Sequence, residues 1–148
     1  MTFYEDKRGL LFCLFEKNLL VSNEKRGTLR GLHYQVYPYD REKVIQVISG
    51  SVVFMILDLT NGKGRWQRMA PGEVVSTKNY EACGYMTLAD NTVLYYDMSR
   101  GRSAKHERGV RWNDPGIDWG EYGPPPCEDL TTINDRDRTF PDWSPCEP

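Results

Sequence analysis

Arg30-Gly31-Leu32-His33-Tyr34-Gln35 carries the residue types best suited to chemistry in this chain of 148 residues. The chain has two histidines, and His33 is the one set among apolar and aromatic neighbours. Histidine titrates near neutral pH and so suits proton transfer. An arginine three residues earlier suits a phosphate, and Gly31 between them lets a ligand or a neighbouring backbone come close. Read alone, the same residues serve equally well as strand packing and hydrogen bonding, so the elements around them must decide.

Those elements read as β-structure. Leu10-Leu11-Phe12-Cys13-Leu14-Phe15 follows a Gly9 turn as a buried strand, and residues 17–27 read as polar, ending in the Asn23-Glu24-Lys25-Arg26-Gly27 turn. Thr28 to Gln35 is a strand, and Pro38 marks the following loop. Lys43 to Ile48 is rich in β-branched residues, Ser49-Gly50 is a hairpin turn, and Ser51 to Leu59 is the return strand. Residues 66–69, 74–77, 82–89 and 92–98 complete the series. Short strands punctuated by turns predict an all-β sandwich or barrel. From Ser99 the texture changes to recurrent Gly and Pro. Trp112, Trp119 and Trp143 predict that this irregular tail, about residues 99–148, packs on the body of a single domain spanning 1–148.

Composition narrows the function classes. A net charge of −2 with interspersed signs gives no reason to expect nucleic acid as a partner. No apolar stretch approaches the ~18–20 residues of a membrane span. Met1 to Asp6 lacks the basic start and apolar run of a secretory signal, so a cytoplasmic protein with no membrane partner is expected. Cys13, Cys83, Cys127 and Cys146 form no Cys-x-x-Cys pair and read as free thiols. Two histidines cannot build a His-rich metal centre, so no metal and no cofactor are expected.

Several motifs occur in order: Leu29-Arg30-Gly31-Leu32-His33-Tyr34-Gln35, Lys43-Val44-Ile45 with Gly50 after it, Val93-Leu94-Tyr95-Tyr96, and Glu107-Arg108-Gly109-Val110-Arg111-Trp112-Asn113-Asp114-Pro115. Ile117-Asp118-Trp119 and Ile133-Asn134-Asp135-Arg136-Asp137-Arg138 follow. Together, from about Arg8 to about Pro141, they resemble the dTDP-4-dehydrorhamnose 3,5-epimerase family. The resemblance implies a double-stranded β-helix, the cupin-like jelly roll. It implies an epimerase of a nucleoside-diphosphate 4-keto-6-deoxy sugar that works without a cofactor, and a homodimer.

By that resemblance His33 is the general base and Asp137 the carboxylate that orients it. Tyr95 is the phenol on the opposite face of the sugar, with Tyr96 its alternative should the strand register differ by one. Lys43 is the cation beside the C4 oxygen. Arg30 and Arg8 contact the diphosphate, Arg8 from a partner subunit, and Gln35, Cys83, Glu107 and Arg136 are further substrate-binding positions. The chemistry needs these types. A 4-keto group acidifies the C3 and C5 hydrogens; a base removes one, an enolate forms at the C4 oxygen beside a fixed cation, and a proton returned to the other face inverts the centre.

The sequence also departs from the family. Ala82-Cys83-Gly84-Tyr85 stands where a second histidine is usual, and Phe54 where a carboxylate is usual. Lys78-Asn79-Tyr80, Leu11, Cys13 and Ser99-Arg100-Gly101 are further differences, which bear on the nucleobase and the sugar. An apolar Phe54 beside Cys83 makes that thiol a passive wall and leaves proton transfer to His33 and the tyrosine, so one dominant inversion is expected. A 3,4-ketoisomerase of the same substrate class and a catalytically decayed sugar-nucleotide-binding protein are the alternatives.

Overall fold

The computed structural model describes residues 2–122 and 132–145. Eleven strands occur in the described residues: β1 (Thr2–Asp6), β2 (Gly9–Phe15), β3 (Asn18–Asn23), β4 (Leu29–Gln35), β5 (Lys43–Ser49), β6 (Val52–Asp58), β7 (Lys63–Met69), β8 (Val74–Thr77), β9 (Glu81–Thr87), β10 (Thr92–Met98) and β11 (Glu107–Gly109). They form two antiparallel sheets, ordered β1-β2-β3-β10-β5-β8 and β11-β4-β9-β6-β7. This is the all-β jelly-roll architecture expected from the sequence. The one α-helix among the described residues is α1 (Asp135–Arg138). Asn134 caps its start, the side chain accepting from the Asp137 backbone N–H.

Periodicity explains which face each strand buries. In β5, Lys43, Ile45 and Val47 point inward while Val44 and Ile48 face solvent. β6 is buried on both faces, as its unbroken apolar run requires. Val52, Phe54 and Ile56 enter the core between the sheets. Val53, Met55 and Leu57 lie on the other side, under Val110, Trp119 and Ile133 of the C-terminal segment. The segment is therefore the cover of the five-stranded sheet. Trp119 is fully buried there, its indole N–H donating to the Trp112 carbonyl.

Three elements differ from the sequence reading. β1 is a fully exposed edge strand with no buried face to give it an apolar alternation. β3 occupies the stretch read as polar; Leu19, Leu20 and Val21 are its apolar centre, and pairing with β2 and β10 holds it. β11 is three residues long and exists by pairing with β4. Cys13 and Cys83 are free thiols, whereas Cys127 and Cys146 lie outside the described residues.

Candidate active site

A cavity of about 560 Å³ opens between the two sheets. His33, Arg30, Cys83 and Gly84 line it from the five-stranded sheet; Lys43, Tyr96 and Met98 line it from the six-stranded sheet. Arg8, Arg41, Arg102, Glu107 and Arg136 add charge around it.

Arg30 and His33 are three residues apart and would face opposite sides of a regular strand. A bulge brings them together. Arg30 pairs with Tyr85 and His33 with Cys83, so three steps on β4 match two on β9. Gly31 absorbs the extra residue at φ 113°, a conformation that a side chain resists. A Cβ there would lie 2.7 Å from the Gly84 Cα and 2.8 Å from the Cys83 carbonyl oxygen.

The bulge also orients the Gly31 N–H toward Asp137 Oδ2, at 3.0 Å. Asp137 is fully buried, and its Oδ1 lies 2.8 Å from His33 Nε2. Arg8 Nη1 reaches Oδ2 at 3.3 Å and Arg136 Nε reaches Oδ1 at 3.4 Å. Burial pushes the Asp137 carboxyl up, but the His33 charge and hydrogen bond, the Gly31 N–H and Arg8 outweigh it and hold the carboxyl at about 2. An ionised carboxylate can only accept, so Nε2 donates to it, and the neutral ring then keeps its lone pair on Nδ1. Arg136 Nη2, 3.2 Å from Nε2, is then a neighbouring charge and not a donor to the ring.

Tyrosine placement corrects the sequence reading. On β10, Leu94, Tyr96 and Met98 point into the core, and Tyr95 points out. The Tyr95 hydroxyl accepts from Asn18 Nδ2 at 2.8 Å and does not line the cavity. Tyr96 is the phenol inside. Burial, with the Tyr85 and Cys83 side chains adding to it, raises the Tyr96 phenol well above its ordinary value, so it holds its proton.

The other predicted residues separate into two groups. Lys43 is buried, and its Nζ lies 3.6 Å from Cys83 Sγ, bridging the two walls. The cross-strand neighbour of Cys83 on β6 is Ile56; Phe54 pairs with Tyr85 and stacks on it with ring centroids 6.4 Å apart. Cys83 therefore meets a cation directly, contrary to the passive apolar setting expected. Arg30 is 7% exposed; its Nε donates to Asn23 Oδ1 at 2.8 Å, and its Nη2 has no hydrogen-bond partner among the described residues. Such a buried orphan donor is costly without a ligand. Glu107 accepts from Arg102 Nε at 2.7 Å and Arg136 Nη1 at 3.2 Å. Burial raises its carboxyl, but these arginines and His33 bring it below the ordinary range.

Two predicted placements change. Gln35 is not at the cavity. Its Nε2 donates to the Tyr39 carbonyl at 2.7 Å and its Oε1 accepts from the Ser103 N–H at 2.8 Å. It ties together the two loops that carry Arg41 and Arg102. Arg8 reaches the cavity of its own chain, held by Asp6 Oδ2 at 2.6 Å across the turn between β1 and β2.

Sequence reasoning passed over Arg41. The usable signal for Arg41 was its position two residues before Lys43, on the same side of an extended chain. Among the described residues, no group of three or more His, Cys, Asp or Glu side chains could hold a metal ion.

The profile of the family described as dTDP-4-dehydrorhamnose 3,5-epimerase matches residues 1–144. A dTDP-4-dehydrorhamnose 3,5-epimerase of Sinorhizobium fredii is 31% identical over 102 residues, covering 63% of this chain and 52% of that protein. A dTDP-4-dehydro-6-deoxyglucose 3-epimerase of a Streptomyces species is 31% identical over 145 residues, covering 92% of this chain and 70% of that protein. The match thus spans about half of the first relative's length and more of the second's. The crystal structure of the Bacillus anthracis dTDP-4-dehydrorhamnose 3,5-epimerase with TDP and PPi bound is similar at a TM-score of 0.72. It is 26% identical, covering 95% of this chain and 90% of that one.

Proposed function

The chain belongs to the dTDP-4-dehydrorhamnose 3,5-epimerase family, and on that premise we propose that it is an isomerase that epimerises a nucleoside-diphosphate 4-keto-6-deoxy sugar without a cofactor. The observation that carries this reading is the opposition across one cavity of the His33–Asp137 pair, at 2.8 Å, and the protonated Tyr96 phenol. Binding alone does not require a base facing an acid.

In the proposed reaction His33 Nδ1 takes the proton from a carbon beside the 4-keto group. The electron pair moves to the carbonyl oxygen, giving an enolate next to Lys43. As the carbonyl re-forms, Tyr96 returns a proton to the opposite face and the centre is inverted. Arg30, with its unpaired Nη2, together with Arg8 and Arg136, meets the diphosphate.

One inversion rather than two is the favoured outcome. Among the described residues the cavity is lined by one histidine, His33. A homodimer is part of the proposal. Phe3, Tyr4 and Phe15 of the edge hairpin and Val44, Ile48 and Val74 on the outer face of the six-stranded sheet are large exposed apolar residues suited to a second copy. So is a cytoplasmic location.

Proton NMR of 4-keto-6-deoxy sugar nucleotides in deuterated water tests the reading. Deuterium entering C3, C5 or both with inversion is the expected result. A moved carbonyl identifies a 3,4-ketoisomerase, and binding without exchange identifies a sugar-nucleotide-binding protein.

A further inference from the structure

Arg41 has no part in the chemistry described so far, yet it lines the same cavity. Its Nη1 donates to the Arg100 carbonyl at 3.3 Å, and its buried Nε has no hydrogen-bond partner among the described residues. The nearby carboxylate, Glu107, has both oxygens occupied, one by Arg102 and one by Arg136. Arg8 differs, being paired with Asp6 and Asp137. Among the described residues Arg41 and Lys43 have no carboxylate partner at all; the one hydrogen-bond partner of the Lys43 ammonium is the Cys83 thiol.

The two cations also share a direction. Lys43 opens β5, and Arg41 precedes it by two residues. Met98 pairs with Lys43, and Tyr96 is the next inward residue along β10. Arg41, Lys43 and Tyr96 thus form one wall, opposite His33 and Cys83, which pair across β4 and β9. The Lys43–Cys83 contact, at 3.6 Å, joins the two walls. Burial pulls the affinity of Arg41 for its proton below the ordinary value, and Glu107, Cys83 and Tyr96 offset part of that. A half-buried guanidinium with no carboxylate in direct contact is stabilised by an anion.

Resting on the epimerase reading, we propose that Arg41 and Lys43 together form a two-cation site for the oxyanion that develops on the sugar C4 oxygen, which makes Arg41 a second catalytic cation. When His33 takes the proton, the C–H electron pair becomes the C=C bond and the carbonyl pair moves onto oxygen. When Tyr96 gives its proton, the carbonyl re-forms and the charge leaves both cations. Their interaction is strongest while the enolate exists, so it lowers the barrier and not the ground state.

The test uses Arg41→Met and Arg41→Lys in the full chain with dTDP-4-dehydro-6-deoxyglucose as substrate. Solvent-deuterium exchange is followed by NMR, and TDP, which lacks the sugar, is titrated by calorimetry. Arg41→Met is expected to lower the saturated exchange rate about 100-fold, with KM and TDP affinity within about threefold of the parent. Arg41→Lys, which keeps the charge, is expected to recover about a tenth of the rate or more. TDP binding also reports that each variant is folded. A saturated rate within about threefold of the parent in Arg41→Met overturns the inference. So does about a tenfold loss of TDP affinity with the saturated rate unchanged, which would make Arg41 a diphosphate ligand. If the parent protein exchanges no deuterium with any 4-keto sugar, the epimerase reading itself fails and this inference with it. Exchange by the parent that Arg41→Met leaves intact removes this inference alone.

Discussion

Asp137 orients the base and couples the site to pH. Burial raises its carboxyl, and His33, Gly31 and Arg8 more than offset that, leaving it at about 2 in the folded chain. An unfolded aspartate titrates near 3.9. The folded form binds this proton less readily, so the carboxylate contributes stability that is fully present above about pH 4 and is lost as pH falls through about 2. The contribution is on the order of 2 kcal/mol. Asp137→Asn is expected to lower the urea midpoint at neutral pH, with the gap to the parent closing toward pH 2; a gap independent of pH would refute this origin. The tyrosines offer a second residue-scale test. Tyr96→Phe should cut inversion by about 100-fold or more, while Tyr95→Phe should stay within about threefold, because the Tyr95 side chain does not line the cavity. Product NMR with both variants decides which phenol delivers the proton.

The β4 bulge is the element on which the site depends. It turns residues three apart onto one face and aims the Gly31 N–H at Asp137. Gly31→Ala would force a Cβ against the β9 backbone at 2.7 Å from the Gly84 Cα, at a φ of 113°. The expected loss is about 2 kcal/mol or more, together with exchange activity, since the His33 orientation would move with the strand. Thermal unfolding and NMR exchange measure the two effects. An alanine variant as stable and active as the parent would show that the bulge is not required. Gln35 works at the same scale, as a clamp on the loops bearing Arg41 and Arg102, and its removal should disturb those cations without any contact to substrate.

At the scale of the molecule, the two sides of the five-stranded sheet have separate tasks. One lines the cavity, and the other is covered by the C-terminal segment through Val110, Trp119 and Ile133. Trp119→Ala is expected to cost about 3–5 kcal/mol, read as a lowered denaturant midpoint, because it empties a fully buried site. Under conditions where the variant remains folded, TDP affinity should be close to the parent's, since the indole lies on the far side from the cavity; a large loss of affinity would show that the cover also shapes the site. Light scattering at micromolar concentration tests the homodimer, and a monomer would leave the exposed hairpin and outer-face residues without the proposed second copy.

Alternation of apolar residues and punctuation by Gly and Pro were enough to read most of the strands, because those signals are local. The pairing of His33 with Asp137 was implied by the resemblance that the ordered motifs carry, and the two side chains lie 2.8 Å apart. The same signals missed β1 and β11, which exist through their partners and not through any apolar pattern of their own. Facing was the other limit. Tyr95 and Tyr96 are chemically identical neighbours, and a strand alternates sides at every residue, so only the register of β10 against β3 and β5 could assign the inward one. Arg30 and His33 share a face because of a bulge that depends on the approach of Gly84 from another strand. Cys83 looked inert beside Phe54, yet it faces Lys43, forty positions away in the chain, because the two sheets close over each other. Residue types determined which chemistry was available to this protein; register and sheet packing decided which of those residues share one cavity.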